Sequence, residues 1–123
     1  MIYKTRHFSR WARKTTLSDE ALCRAVSEIR QGLVDADLGS GIIKKRIALP
    51  GHGKRGSTRT LLATNRNNRW IFIYGFEKNE KANVSQNELE ALKFLANDLL
   101  TLTDLQISEA VKKGVILEVA HET

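Results

Sequence analysis

Cysteine is nearly absent from this chain of 123 residues, with Cys23 alone, so no intramolecular disulfide can form and the fold must rest on a packed core. Cys23 falls inside a helical pattern, where it reads as a small buried apolar residue. One cysteine and three scattered histidines offer no ligand spacing for a metal, so neither a metal nor another cofactor is expected. Proline occurs once, at Pro50, which leaves the segments on either side free to form regular structure. No apolar run approaches the roughly 18 residues needed to span a bilayer. The opening MIYKTRHFSRWARK lacks the continuous apolar stretch of a secretory signal. A cytoplasmic protein without a membrane partner is therefore expected. With 41% hydrophobic residues, the chain is long enough to bury a core as one domain spanning 1–123.

Acidic residues are scarce in the first part of the chain. Residues 1–76 hold 15 Lys/Arg against 5 Asp/Glu, whereas residues 77–123 hold 5 against 9. A basic body followed by an acidic helical end suits a nucleic-acid binder or the partner of an acidic protein.

Periodicity predicts the elements. Residues 2–4 form a short edge strand. Phe8, Trp11 and Ala12 mark a helix over 5–14. Ser18 is an N-cap ahead of Asp19 and Glu20, and Leu22, Ala25, Val26 and Ile29 make the apolar stripe of a helix over 18–32 that Gly32 ends. Residues 34–43, rich in Asp and Gly, read as a loop, and 45–49 as a short strand. Residues 58–65 and 69–76 form a hairpin. Alternation puts Trp70, Phe72, Tyr74 and Phe76 on one face and Ile71 and Ile73 on the other, so this strand is central. The aromatic row reads as core beneath a helix, with a base-stacking platform as the alternative. Tyr74 stands apart, because its hydroxyl can reach the surface at the strand end. Ser85 to Glu88 and Thr103 to Gln106 are capping boxes. They open helices over 86–102, with Leu89, Leu92, Leu95, Ala96, Leu99 and Leu102 on its apolar face, and over 104–113. Residues 115–119 add an edge strand. The class is α+β: a compact, mostly antiparallel sheet of three to four strands, with edge strands at both termini, flanked by helices.

The stretch KKRIALPGHGKRGSTR, residues 44–59, concentrates chemistry. A cationic Gly-rich loop anchored on a sheet can grip a phosphate backbone. The candidate constellation is Lys44, Lys45, Arg46, His52, Lys54, Arg55, Arg59 and Lys78. Arg59 opens a strand, so its planar fork is held more rigidly than the loop residues. Hairpin register brings Lys78 to the same end of the sheet. The loop is not a nucleotide-binding phosphate loop, since Ser57-Thr58 follow Gly56 where a lysine would stand. RNA supplies its own nucleophile, the 2′-hydroxyl, and fixed cations can stabilise the phosphorane formed from it. Lysine titrates at about 10.4 in isolation, and neighbouring cations lower that value, which makes Lys54 one candidate base. His52 is another, as base or acid, or else a solvated loop residue.

LPGHGKRGSTRTLLATNRNNRWIFIYGFEKNEKANVSQNELEALKFLANDLL resembles the RelE superfamily of type II toxin–antitoxin toxins, and most the HigB-type branch. The shared features are a Gly-Lys loop, an Arg opening a strand, an aromatic strand ending in F-x-K-N-E, and a helix beginning S-x-x-E. The resemblance implies a RelE-like fold. It implies a metal-independent endoribonuclease that cleaves mRNA in the A site of the small (30S) ribosomal subunit and inhibits translation under stress. It also implies a cognate antitoxin, through which alone operator DNA is bound. Lys54, Arg59 and Lys78 match catalytic positions, with Arg55 and His52 as RNA contacts. The chain departs from the pattern at Ser57 and Thr58, where a glycine and an aromatic residue are usual, and at Asn79 and Ser85, which stand in place of an arginine and a tyrosine. A related architecture poisons DNA gyrase in the ParE toxins, and a non-catalytic RNA- or ribosome-binding remnant is the third reading.

Overall fold

The computed structural model describes residues 1–49 and 57–119. His52, Lys54 and Arg55 lie outside the described residues. The element order is β1 (Ile2–Thr5), α1 (Arg6–Lys14), α2 (Asp19–Arg30), β2 (Ala36–Gly39), β3 (Ile42–Ala48), β4 (Ser57–Thr64), β5 (Trp70–Glu77), α3 (Gln86–Thr101), α4 (Asp104–Lys112) and β6 (Ile116–Glu118). This is an α+β fold. Its sheet runs β2-β3-β4-β5-β1-β6, antiparallel throughout except for the parallel β1–β5 pair.

Each helix starts where a hydroxyl can satisfy free N–H groups. The Thr5, Ser18, Ser85 and Thr103 side chains accept from Phe8, Ala21, Glu88 and Gln106 N–H, and the last two are full capping boxes. α2 ends before Gly32, whose φ of +91° suits a residue without Cβ.

The helices cover both faces of the sheet. On one face Phe8 and Ala12 of α1 and Leu22, Ala25, Val26 and Ile29 of α2 pack on Ile43, Ile47, Leu62, Trp70 and Phe72. On the other, Leu92, Ala96 and Leu99 of α3 and Ile107 of α4 pack on Ile42, Leu61, Ala63, Ile71, Ile73 and Ile116. Cys23 is half-buried against the first cluster; burial, then the Asp19 charge, pushes its thiol pKa up.

Three expectations need correction. The stretch 34–43 is not all loop: β2 pairs with β3, which starts at Ile42 rather than at 45. Ser40 and Gly41, with φ of 54° and 81°, make the two-residue turn between them, and their polar composition hid the hairpin. β1 is not an edge strand, since it lies between β5 and β6. Its four residues gave no sign of a parallel partner some seventy positions away.

The third correction bears on the site. Leu61 pairs with Tyr74 but Leu62 with Phe72, so Ile73 is an extra residue and β5 carries a bulge. The bulge reverses the facing of all that follows. Trp70 and Phe72 lie under α1 and α2, whereas Tyr74 packs with Ile71 and Ile73 on the α3 side. Gly75 then turns to α1, where an added Cβ would run into the Trp11 ring. Tyr74 and Phe76 therefore do not share a face with Trp70 and Phe72.

Candidate nucleic-acid interface

Beyond the bulge, register lines up side chains on the α3 face. Arg46, Arg59 and Phe76 form one cross-strand row, and Lys44, Leu61 and Tyr74 form the next, two residues earlier in β3 and two later in β4. Arg46 is exposed, and Lys44 and Arg59 are half-buried. The Arg59 guanidinium donates to Ser57 Oγ at 3.2 Å, which steadies it at the strand's start. β2 no longer pairs with β3 beyond Lys44, so Arg46 also borders a cleft beside α2 with Ala21, Arg24 and Glu28.

Lys45, a member of the candidate cationic constellation, faces the other way. Strand alternation turns it towards α2, where its ammonium lies 2.9 Å from both the Leu33 carbonyl and Glu28, with only 7% of the residue exposed. It fastens β3 to α2 and faces away from the Arg46–Arg59 row. Lys78 is exposed just past β5, close to the start of β4, since Thr58 pairs with Glu77. Phe76 is 2% exposed and Trp70 and Phe72 are fully buried, so these rings are core and not a stacking platform.

Tyr74 is half-buried and anchors a polar network. Its hydroxyl donates to Glu88 Oε2 at 2.8 Å, and Lys81 Nζ donates to the Tyr74 hydroxyl at 3.0 Å and to Glu88 Oε2 at 2.8 Å. The Lys81 ammonium sits 5.5 Å from the centre of the Tyr74 ring, and the His7 ring stacks on it at 6.1 Å and 6°. Glu88 performs two tasks: Oε1 accepts from the Ser85 N–H, closing the capping box of α3, while Oε2 holds Lys81 and Tyr74. Lys81 chiefly, then the Ser85 N–H and the Tyr74 hydroxyl, hold the Glu88 carboxyl down at about 2. The hydrogen bond to Glu88 first, then that to Tyr74, raises the Lys81 pKa well above its ordinary value. Lys81 thus remains a cation at neutral pH, unsuited to act as a base and suited to stabilise negative charge.

Sequence reasoning missed Lys81, Glu88 and His7. The only trace was the capping-box role of Glu88, which conceals its second use. The departures from the expected motif find structural work. Thr58 is fully buried, its hydroxyl donating to the Ile47 carbonyl at 3.2 Å; Ser85 caps α3; and Asn79 is exposed.

A six-stranded sheet with helices on both faces and a cationic row at one end defines a small α+β fold. The chain belongs to the RelE family, matching its model, described as RelE toxin of RelE / RelB toxin-antitoxin system, over residues 1–119. It is a toxin of a toxin–antitoxin module, and an antitoxin is its partner. No curated protein matches the sequence. Among the described residues, no helix is long and apolar enough to cross a membrane.

Proposed function

We propose that the chain is one cytoplasmic domain, of the HigB-type branch, that cleaves mRNA on the ribosome and so arrests translation. The observation that carries this reading is the row of Arg46 and Arg59 beside Tyr74 and its Lys81–Glu88 pair. A single-stranded RNA laid across these rows meets cations for its phosphates and a tyrosine edge for a base. The 2′-hydroxyl of one nucleotide attacks the adjacent phosphorus. The 2′-O–P bond forms, the P–O5′ bond breaks, and a 2′,3′-cyclic phosphate and a 5′-hydroxyl result. Arg59 takes the charge of the phosphorane, assisted by Lys54 and Lys78. His52 and Lys54 are the groups we assign to accepting the 2′-hydroxyl proton and returning one to the 5′-oxygen. Lys44, Arg46 and Arg55 position the backbone, and no metal is required because the nucleophile is intramolecular.

The test is primer extension on a defined mRNA in a cell-free translation mixture, with and without ribosomes, comparing wild type with Arg59→Ala. Discrete cuts that need ribosomes, reduced at least about a hundredfold by the substitution, are expected from loss of a charged transition-state donor. Undiminished cutting by Arg59→Ala would sink the mechanism. Cuts without ribosomes would make the protein a free ribonuclease. Intact mRNA with DNA breaks on induction would point to a gyrase poison, and neither effect to a non-catalytic binder.

A further inference from the structure

We propose that the cavity beneath α4, at the end of the sheet remote from Arg59 and Lys78, binds a free α-amino acid with an apolar side chain. The cavity encloses about 520 Å³, within the range of roughly 300–1,000 Å³ usual for small-molecule sites. Three buried residues make its floor: Tyr3 of β1, Arg69 just ahead of β5, and Ile107 of α4. Asp104, Lys112 and Glu118 stand exposed at its rim. Antiparallel register sets Tyr3 directly opposite Glu118, so both side chains leave the same face of the sheet. Asp104, Ile107, Val111 and Lys112 recur at i, i+3, i+7 and i+8, which is one face of α4. β5 begins at this end and finishes at Glu77, beside the start of β4, so the cavity is separate from the Arg46–Arg59 row.

The Tyr3 hydroxyl points to a ligand. Tyr3 is only 8% exposed, yet its hydroxyl makes no hydrogen bond among the described residues. Burial first, then the Glu118 charge, pushes its pKa up, with Arg69 acting the other way, so the hydroxyl keeps its proton. A buried hydroxyl without a partner is costly, and a polar ligand in the cavity removes that cost. The charges define the ligand. Arg69 is already committed to the carbonyls at the end of α3 and to Asp104. Lys112 and Glu118 remain, and among the described residues neither has an ion-pair partner. They are opposite in sign and line one cavity without pairing with each other. A molecule with a carboxylate and an ammonium satisfies both. Its carboxylate accepts from the Lys112 ammonium, its ammonium donates to Glu118, and the Tyr3 hydroxyl opposite Glu118 accepts a further ammonium proton. The four charged side chains balance, so a polyanion has no net attraction here. Ile107, Val111 and the Tyr3 ring offer apolar surface to the ligand's side chain.

The test is two-dimensional amide NMR of the full chain titrated with L-leucine, with N-acetylleucine and leucinamide as controls that each lack one charge. Saturable shifts are expected with leucine at the amides of Tyr3, Ile107, Val111 and Glu118, and either control should bind at least about tenfold more weakly. Lys112→Gln and Glu118→Gln should each weaken leucine binding by a similar factor. Tyr3→Phe should weaken it too while leaving the urea unfolding midpoint unchanged, because the hydroxyl has no protein partner to lose. No saturable shift up to the solubility limit of leucine would overturn the proposal. So would a control that binds as tightly as leucine, since one charge would then suffice. Shifts clustered on other residues would place leucine elsewhere and overturn it as well.

Discussion

Glu88 shows how much one side chain carries. One of its oxygens closes the capping box of a helix and the other orders the tyrosine and lysine beside the Arg46–Arg59 row. Its carboxyl is held at about 2 in the folded protein, against an ordinary value of 4.5. A depressed carboxylate contributes stability above the unfolded value, and that contribution is lost as pH falls through the folded one. Between pH 4.5 and 2, wild type should therefore lose stability more steeply than Glu88→Gln. Urea unfolding midpoints measured across that window test this; parallel curves would show that Glu88 titrates alike in both states. At neutral pH the substitution should cost the same stability that wild type loses across that window, an amount that solvent screening keeps modest because the Lys81–Glu88 pair is about one-third exposed. It should nevertheless impair cleavage by releasing Tyr74 and Lys81. Lys45 teaches the converse: a lysine inside a cationic run is a structural tether, and only its strand parity distinguishes it from Lys44 and Arg46.

Among the elements, the junction of α3 and α4 depends on an arginine from the start of β5's approach. Arg69, 8% exposed, donates to the Leu99 and Leu102 carbonyls at 3.0 and 2.7 Å and pairs with Asp104 at 3.0 Å. It satisfies the free carbonyls at the end of α3 and complements the helix dipole there. Arg69→Met should destabilise the protein by about 1–3 kcal/mol, the cost of leaving buried acceptors unpaired. Arg69→Lys should recover only part, since one ammonium cannot reproduce the fork. Chemical denaturation decides, and a neutral Arg69→Met would show that water replaces the guanidinium. The helices themselves were legible in sequence, because Ser18, Ser85 and Thr103 cap them by local hydrogen bonds. The bulge at Ile73 was not, because alternation of apolar residues continues unbroken through WIFIYGF and only pairing with β4 shows the extra residue.

Over the whole molecule, charge is segregated: the net charge is +6, yet residues 77–123 are acidic on balance. Two surfaces are cationic, one at Arg46 and Arg59 and one along α1. The toxin–antitoxin complex should leave a cation exchanger at lower salt than the free toxin, because an antitoxin that neutralises this protein covers basic surface. A complex retained as strongly as the toxin alone would mean that neutralisation works elsewhere. The α+β class, the four helices with their caps, the hairpin, and the gathering of Arg59 and Lys78 at one end of the sheet were set by the sequence itself, since periodicity, capping and hairpin register are local. Only the tertiary structure decided that β1 lies inside the sheet, that the bulge turns Tyr74 away from Trp70 and Phe72, that Lys45 is buried, and that Lys81 and His7 meet Tyr74. Those outcomes depend on pairing between segments far apart in the chain, and such pairing leaves no periodic trace in the residues that make it.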